Sequence, residues 1–384
     1  MAIDESKPMG LYIHIPFCSK KCDYCDFVSY SMDHKAQQLY LDALFTEIDM
    51  LKSKFYDRVF DSIFIGGGTP SIVYEGFIAS LARKIYSSFH FLDKTEFTIE
   101  VNPASFTKEK FFEYVQAGVN RISVGVQCLD EKLLREHGRI QSMDNINETF
   151  KILKNSEFPN VNSDVMIGLP GQSKSSIVNT INYLIKHNVK HISTYTLQIE
   201  KHTLLYNKLK KGKIKPVKDE EMVDVYNKIN KVLKKAGYFR YELSNYAKPG
   251  FECKHNLKYW DDESSYLGLG VAAHSYIDGY RYFNTKRLDT YIDAMNDGKS
   301  AVYSKEYVSD AERRTERIML SLRKVEGLDL EKFKKDFNED LLRSRADSIK
   351  KMTELGMIEI SENNFLKIKD DYFPVSNSII VELL

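Results

Sequence analysis

Short β-rich runs alternate with amphipathic, helix-length stretches along the first half of the chain. The strand candidates are LYIHIPF from Leu11, FDSIFI from Phe60, EFTIEV from Glu96, RISVGV from Arg121, VNSDVMIGL from Val161 and HISTYTLQ from His191. The segments between them, such as HKAQQLYLDALFTEIDMLKSKF, repeat apolar residues every three or four positions and are predicted to be helices. Repeated strand-helix units predict an α/β fold with a parallel sheet. Six units favour a partial barrel, with functional groups at the carboxyl ends of the strands.

The rest of the chain lacks this rhythm. A lysine-rich connector spans 201–217, a helix is predicted around 219–235, and an aromatic stretch covers 238–282. From about Tyr307 the pattern becomes three helices, a hairpin formed by MIEI and NFLKI, and a final short helix, which resembles a winged-helix-like module. We therefore expect a partial barrel at 1–215, a barrel-closing segment at 216–306 and a small C-terminal winged-helix-like α+β domain at 307–384.

Charge and hydropathy limit the partners and the compartment. The chain has 55 basic and 54 acidic residues, so no global field attracts nucleic acid or an anionic membrane. It has no apolar run long enough to span a bilayer, and the opening MAIDESKPMG has no leader pattern. We expect a cytoplasmic protein without nucleic-acid binding. The C-terminal module raises a DNA-binding alternative, which the lack of a basic excess disfavours.

Three of the five cysteines follow the first predicted strand directly. Cys18, Cys22 and Cys25 have the spacing C-x3-C-x2-C, whereas Cys128 and Cys253 lie far along the chain. An odd count with three clustered thiols argues against a disulfide framework and indicates a metal site. Three thiolates on one tight loop can each bind one iron of a 4Fe-4S cluster and leave the fourth iron open to another ligand.

A structural zinc site is the alternative for this loop. Zinc in such sites usually takes four protein ligands, and His14 is the available fourth ligand, although it lies inside a predicted buried strand. Lys20 and Lys21 on the loop are compatible with electrostatic stabilisation of an anionic cluster and equally with an ordinary solvated loop.

The cysteine loop resembles the signature of radical S-adenosylmethionine (SAM) proteins, and four further motifs follow in the matching order. GGGTPS at 66–71 follows the second strand, EVNP at 100–103 ends the third, GVQ at 125–127 ends the fourth, and DVMIGLPGQ at 164–172 covers the fifth. Glycines at the first of these let backbone amides approach a ligand closely. The resemblance implies a partial (βα)6 TIM-like barrel of the radical SAM type, with a 4Fe-4S cluster and SAM as cofactors.

Among radical SAM proteins, the chain resembles the group that contains oxygen-independent coproporphyrinogen III oxidase and the radical SAM haem chaperones, over roughly residues 10–384. By this resemblance, Cys18, Cys22 and Cys25 would bind the cluster. The other implied positions are Tyr12 and Tyr24 beside the cluster, Gly67, Gly68, Thr69 and Glu100 at SAM, and Gln127, Arg139 and Asp164 at its ribose side or at a second ligand. Each non-cysteine position also has a structural alternative, such as a turn glycine or a helix-capping arginine.

Two departures favour the chaperone branch over the oxidase branch. The oxidase has a fourth cysteine two positions after the third, where this chain has Phe27, and a long amino-terminal extension that is not seen here. HNLKYW at 255–260 matches the chaperone signature H-N-x-x-Y-W and contains Trp260, the single tryptophan of the chain. His255 could be an axial haem ligand beside flat aromatic surface, and a core histidine is the alternative. Cys253 is a further potential iron ligand or a buried thiol.

The resemblance implies a protein that binds haem and transfers it to haem-dependent apoproteins. It also implies an electron donor such as flavodoxin or ferredoxin, a homodimer and transient membrane association. Whether the protein cleaves SAM as an enzyme is left open. Two enzymatic alternatives are oxidative decarboxylation of coproporphyrinogen III in porphyrin biosynthesis, which Phe27 and HNLKYW disfavour, and radical-dependent haem modification or ring opening.

Overall fold

Six parallel strands pair in sequence order, and they correspond to the six predicted strands, which confirms the α/β fold. The computed structural model describes residues 4–31 and 33–384. The strands are β1 (Asp4–Ile15), β2 (Arg58–Gly67), β3 (His90–Val101), β4 (Arg121–Gln127), β5 (Val161–Ile167) and β6 (His191–Thr196). The helices that connect them are α1 (His34–Lys52), α2 (Phe77–Tyr86), α3 (Lys108–Gln116), α4 (Glu131–Glu136), α5 (Met143–Asn155) and α6 (Lys174–Lys186).

Alternation along the strands separates an apolar face from a polar one. On β4, Ile122 and Val124 are fully buried, and they alternate with the polar residues Arg121 and Ser123. Because successive side chains of a strand point to opposite faces, one face of the sheet packs against the helices and the other carries polar groups. The polar face therefore collects the functional side chains of several strands.

Downstream elements extend this sheet. In chain order they are α7 (Leu204–Lys210), α8 (Asp219–Lys235), β7 (Phe239–Arg240), β8 (Asn245–Ala247), α9 (Lys254–Lys258), β9 (Tyr266–Leu269), β10 (His274–Ile277), β11 (Tyr280–Asn284), α10 (Leu288–Asn296) and β12 (Val302–Tyr307). β9 pairs in parallel with β1, and β10 and β11 continue the sheet in antiparallel fashion. Since β1 has β9 and β2 as its neighbours, the sheet does not close on β6 and the barrel is partial, as predicted.

A buried carboxylate on α1 ties β9 and its neighbours to the barrel. Glu47 accepts hydrogen bonds from the Gly270 backbone N–H (2.7 Å), Asn284 Nδ2 (2.6 Å) and the Tyr291 hydroxyl (2.7 Å). Burial raises the pKa of Glu47, while these three donors lower it. Because Glu47 accepts hydrogen bonds from all three groups, it fixes the position of the segment that carries them.

The chain divides into two units. The first contains the described residues up to Pro216 together with Ser264–Glu306, and the second contains Val217–Glu263 and Tyr307–Leu384. The predicted middle segment, 216–306, is thus shared between the two units. Its barrel-closing role stays a prediction.

The second unit ends in a helical module with a small antiparallel sheet. Its elements are α11 (Asp310–Ser321), β13 (Leu328–Asp329), α12 (Leu330–Phe337), α13 (Leu341–Ser344), α14 (Ala346–Glu354), β14 (Ile358–Ile360), β15 (Phe365–Ile368) and α15 (Ser376–Leu383). The sheet order is β13-β15-β14, and helices followed by a hairpin match the predicted winged-helix-like arrangement. Phe333, Leu366 and Leu383 are fully buried in its apolar core. Among the described residues, no helix is both long and apolar enough to cross a membrane.

Candidate functional site

The three predicted cluster cysteines lie on one loop that leaves the carboxyl end of β1. The Cys18 N–H donates to the Tyr30 carbonyl (3.0 Å), and the Cys25 N–H donates to the Cys22 carbonyl (3.1 Å), which closes a tight turn. All three thiols are partly buried and line one cavity. The loop therefore presents three sulfur ligands on one wall of that cavity, an arrangement that fits a 4Fe-4S cluster with one iron turned toward the cavity.

Burial favours the neutral form of two thiols of this loop, Cys18 and Cys25. Burial raises the pKa of Cys18 and raises that of Cys25 to about 11, and the neighbouring Cys22 adds a smaller upward effect on both. Because iron binds the thiolate, cluster assembly must displace these protons. We therefore expect assembly to release protons to the solvent.

His14, the fourth ligand that a zinc site would use, is already engaged. Its Nδ1 lies 3.0 Å from the Tyr12 hydroxyl, and its Nε2 lies 3.1 Å from the Val28 carbonyl oxygen. Burial lowers the pKa of His14 to about 4, so the ring is neutral at physiological pH. Both ring nitrogens brace the chain on either side of the cysteine loop, and this geometry disfavours the zinc alternative.

The glycine-rich turn after β2 approaches the cysteine loop closely. A β-carbon at Gly68 would lie 2.6 Å from the Phe17 carbonyl oxygen and 3.1 Å from Cys18 Sγ, and Gly67 has a φ of +113°. A β-carbon at Gly68 would displace backbone, and one at Gly67 would lie 2.6 Å from the His14 ring, so glycine at both positions lets the turn pack closely against its neighbours. Thr69 Oγ1 lies 3.4 Å from Cys18 Sγ, which adds a hydroxyl to the same wall.

Two buried carboxylates from alternate strands line the cavity. Glu100 on β3 accepts the Gly67 N–H (3.1 Å), and Asp164 on β5 accepts Asn162 Nδ2 (2.8 Å). Burial, with a contribution from Asp164, raises the pKa of Glu100 to about 8, and burial also raises the pKa of Asp164. The positive charge of the buried Arg121 lowers both pKa values, but this effect is smaller than the increase caused by burial. Such a pair favours a ligand with a cationic group.

Arg139 connects the cysteine loop to the end of β4. Its Nη1 donates to the Tyr24 hydroxyl (3.2 Å), its Nη2 to the Gly125 carbonyl (2.7 Å) and its Nε to Gln141 Oε1 (2.8 Å). Gln141 Nε2 in turn donates to the carbonyls of Gly125 and Val126. Gln141 therefore links the arginine to the end of β4. Arg139 and Tyr24 both line the cavity.

Gln127 ends β4 with an unusual backbone. Its φ of +65° is rare for a residue other than glycine, and such conformations concentrate at functional sites. Its Oε1 accepts a hydrogen bond from the Tyr195 hydroxyl (2.7 Å), and both residues line the cavity. Tyr195 was not among the site residues predicted from the sequence. Its place at the carboxyl end of β6 is the signal that could have found it.

Tyr12 is placed differently from the other predicted residues. Its hydroxyl pairs with His14 and its ring stacks on Phe64, with the centroids 6.3 Å apart. It is not among the residues that line the cavity. Tyr12 therefore contacts the cysteine loop through His14 in the described part of the chain.

The HNLKYW segment lies in the second unit, where its first four residues belong to α9 and Tyr259 and Trp260 follow the helix. His255 is fully buried, and its Nε2 lies 3.0 Å from the Tyr259 hydroxyl. Trp260 lies under the guanidinium of Arg323, whose central carbon is 5.5 Å from the ring centroid. An iron bound at Nε2 of His255 would have to displace the Tyr259 hydroxyl. Tyr259 is 37% exposed, so its ring borders solvent.

The two remaining cysteines are buried. Cys128 lies in a small apolar cluster with Leu133, Met166 and Leu169. Burial raises its pKa to about 11, so the thiol is neutral. Cys253 is fully buried at the start of α9. Cys128 therefore fills space as a small apolar side chain.

We predict that Glu100→Gln weakens SAM binding and removes its pH dependence. A carboxyl of pKa about 8 must lose its proton before it can pair with the ammonium group of SAM, so affinity should rise with pH and level off above about pH 8. In the amide variant we expect binding about 10- to 100-fold weaker at high pH, because a charge-assisted hydrogen bond is lost.

Isothermal titration of the cluster-loaded protein with SAM between about pH 6 and pH 9 measures both effects. Glu96→Gln is a matched control, because this residue lies on the same strand but does not line the cavity. An unchanged pH profile in Glu100→Gln would show that another group controls binding.

Two family models and a solved structure match this chain. The family model of the radical SAM superfamily matches residues 12–184, and the model of the HemN C-terminal domain matches residues 308–366. The solved structure of the Escherichia coli coproporphyrinogen III oxidase HemN, described as a radical SAM enzyme, superimposes with a TM-score of 0.84 over 98% of this chain and 90% of that one. At 23% identity, this likeness shows a shared fold.

Curated relatives match over nearly the whole chain. The heme chaperone HemW of Bacillus subtilis is 34% identical over 92% of this chain and 93% of its own length. The protein of the same name from Lactococcus lactis is 31% identical over 98% of both chains, and that from Escherichia coli is 36% identical over 70% of both.

Proposed function

This chain belongs to the heme chaperone HemW family within the radical SAM superfamily, and from that premise we propose that it binds haem and transfers it to haem-dependent apoproteins. The observation that carries the proposal is the match to chaperone relatives along nearly the full length of both chains. The HNLKYW segment also supports haem binding, since it combines an imidazole with two aromatic rings.

The first unit would hold the cluster and SAM. Cys18, Cys22 and Cys25 would ligate three irons, and when bound the cluster supplies an open iron site and an electron for SAM chemistry. Gly67 and Gly68 line the same cavity as the three cysteines, so the methionine end of SAM would lie against this turn beside the cysteine loop.

The remaining wall residues would orient SAM. Glu100 would pair with its ammonium group, while Gln127 and Asp164 face the same cavity from β4 and β5. Arg139 holds Tyr24 against the cavity, which limits the access of water from that side.

The second unit would bind the haem cargo. His255 would be an axial ligand, and Tyr259 and Trp260 would offer flat surface to the porphyrin. Because the Tyr259 hydroxyl pairs with His255 in the haem-free chain, binding would exchange this hydrogen bond for an iron bond. Ligand exchange of this kind suits a carrier that must also release its cargo.

We expect His255→Ala to weaken haem binding by tenfold or more, because an axial ligand is lost. Titration of the anaerobic, cluster-loaded protein with haem, followed by visible absorption, measures the affinity. His90→Ala, at the exposed start of β3, is the matched control and should bind as the unchanged protein does.

A second variant guards against misfolding of His255→Ala, whose side chain is buried. Tyr259→Phe removes the hydroxyl that contacts Nε2 and should bind haem at least as tightly as the unchanged protein. Equal haem affinity in His255→Ala and the unchanged protein would contradict the assignment. Transfer of bound haem to an apo-haemoprotein tests the chaperone function itself.

The oxidase alternative has a direct assay. Incubation with coproporphyrinogen III, SAM and a strong reductant should yield no decarboxylated product, since Phe27 stands where the oxidase has its fourth cysteine. Product formation would favour the oxidase.

The proposed function includes a cytoplasmic location and a low-potential electron donor, and the homodimer and transient membrane association stay predictions.

A further inference from the structure

The cysteine loop is clamped from outside by α7. The Leu205 N–H donates to the Asp23 carbonyl (2.8 Å), and Lys208 Nζ pairs with Asp23 Oδ2 (2.5 Å) and donates to the Glu136 carbonyl (3.2 Å). The Asp23 N–H donates to the His137 carbonyl (3.0 Å). Since Asp23 lies between Cys22 and Tyr24, α7 is attached directly to the loop that carries the cluster ligands.

The end of α7 presents further lysines at a fixed position. Gly212 has a φ of +64°, and the Lys213 N–H donates back to the Lys208 carbonyl (3.0 Å). This bond closes a Schellman-type cap, which folds the chain back on the last turn of the helix. Lys210, Lys211 and Lys213 are all exposed on this cap.

These lysines and two on the cysteine loop form a basic patch, which we define as Lys20, Lys21, Lys210, Lys211 and Lys213. All five are exposed, and within residues 4–31 and 33–384 none of them is in an ion pair. Segment 201–216 contains six lysines and no aspartate or glutamate, although the whole chain carries only +1. Positive charge is therefore concentrated on segment 201–216, whereas the cysteine loop sets Lys20 and Lys21 against Asp23, which pairs with Lys208, and the exposed Asp26.

Helix stabilisation does not account for the patch. Favourable interaction with a helix dipole is limited to the last turn, which includes Lys208 and Lys210. Lys20, Lys21 and Lys213 lie outside that turn, and Lys208 already pairs with Asp23. Repulsion among the remaining lysines costs stability unless an anionic partner offsets it.

We propose that the basic patch is the docking surface for a small acidic protein that carries a low-potential one-electron cofactor. The proposal deepens the proposed function, because it rests on the cluster at Cys18, Cys22 and Cys25. In the docked complex the partner loses one electron and the cluster gains it, and no bond is made or broken. Complementary charge speeds the encounter and orients the partner toward the cysteine loop.

An anionic membrane and a nucleic acid are the other polyanions that lysines could bind. The location of the patch favours a redox partner over both, because its lysines lie on the cysteine loop itself and on the helix clamped to it. Neither a membrane nor a nucleic acid needs to approach an iron-sulfur cluster. Both are therefore outcomes that the test must be able to detect.

The test compares the unchanged cluster-loaded protein with Lys210→Ser/Lys211→Ser/Lys213→Ser, using oxidised flavodoxin as the probe and isothermal titration as the measurement. We expect the variant to bind about tenfold or more weakly at low ionic strength, and the difference to shrink as salt screens the charges. The rate of cluster reduction by reduced flavodoxin should fall by a similar factor. Reduction by dithionite, a small anion that needs no docking surface, should change much less.

The matched control is Lys151→Ser/Lys154→Ser/Lys186→Ser, which removes the same charge from exposed positions on α5 and α6. It should bind flavodoxin within about twofold of the unchanged protein. Haem titration of the patch variant separates the two proposals, since haem affinity should be retained whether or not docking is lost.

Three results would overturn the docking proposal. They are no flavodoxin binding by the unchanged protein, equal losses in the patch and control variants, and unchanged flavodoxin binding in the patch variant. In the last case, loss of binding to phosphatidylglycerol vesicles or to duplex DNA would reassign the patch to a membrane or a nucleic acid.

Discussion

Cys22→Ala should reduce the iron and inorganic sulfide of the anaerobically reconstituted protein from about four of each per chain to nearly none. Cys22 is the middle ligand of the loop, and its removal leaves two thiols, too few to hold a cubane at the protein. Colorimetric iron and sulfide analysis and the absorption of the cluster near the blue end of the visible range measure the effect. Because Cys22 is partly exposed on a loop, the fold should survive the change.

Cys128→Ala is the matched control for this prediction. The thiol is buried in an apolar cluster and does not line the cavity that the three ligands share, so the iron-sulfur content should not change, while stability falls slightly through the lost packing. Stoichiometric zinc without sulfide in the unchanged protein would contradict the cluster assignment. So would a full cluster in Cys22→Ala.

Arg317→Met should lower the free energy of unfolding of the second unit by about 3 to 5 kcal/mol, because the buried carboxylate of Asp262 loses its bidentate partner and keeps only the longer contact with Arg313 (3.8 Å). Arg317 on α11 forms a bidentate pair with Asp262, with Nε on Oδ1 and Nη2 on Oδ2, and the side chain of Asp262 is 1% exposed. The same guanidinium also contacts Glu263 (2.8 Å) and Asp336 (3.0 Å). Denaturant titration followed by circular dichroism measures the loss.

Lys351→Met is the matched control within the same unit. Lys351 pairs with Glu382 at 2.5 Å, but its side chain is 57% exposed, so we expect a change below about 1 kcal/mol. The double variant Arg317→Met/Asp262→Asn should recover part of the loss, since it removes the unpaired charge. A loss in Arg317→Met no larger than that in Lys351→Met would show that the buried pair contributes little.

The same pair bears on haem binding. Asp262 follows Trp260 by two residues, so Arg317 anchors the end of the HNLKYW segment to α11. We expect haem affinity in Arg317→Met to fall in parallel with stability. The segment and the C-terminal module would then act as one structural element, although they lie more than 50 residues apart in sequence.

Residues named by local motifs were predictable. The cysteine spacing, the glycine turn after β2 and the polar residues near the ends of β3 to β5 can each be recognised in short segments. The structure brings eleven of the predicted residues to one cavity: Cys18, Cys22, Tyr24, Cys25, Gly67, Gly68, Thr69, Glu100, Gln127, Arg139 and Asp164. Parallel strands explain this result, because their carboxyl ends meet at one edge of the sheet. Tyr12, named with the same motif set, lies outside the cavity lining because its hydroxyl is bound to His14.

Residues that act through distant partners were not predictable. The pairing of Asp23 with Lys208 spans 185 residues, and Glu47 meets Gly270 across 223. No local pattern marks such pairs, since each residue alone reads as an ordinary charged surface position. The hydrogen bond between His255 and Tyr259 is local, with a separation of four residues, but the complete burial of His255 depends on the packing of the second unit.

The amino-acid sequence by itself determined the strand-helix alternation, the three clustered thiols and the family, because each is written in short-range periodicity, spacing or residue identity. Only the tertiary structure decided how β9 continues the sheet beside β1, that the charge of Arg121 lowers the pKa of both Glu100 and Asp164, and that α7 is attached to the cysteine loop through Lys208. The physical reason is that these features depend on which distant segments exclude water together, a property of the folded chain as a whole.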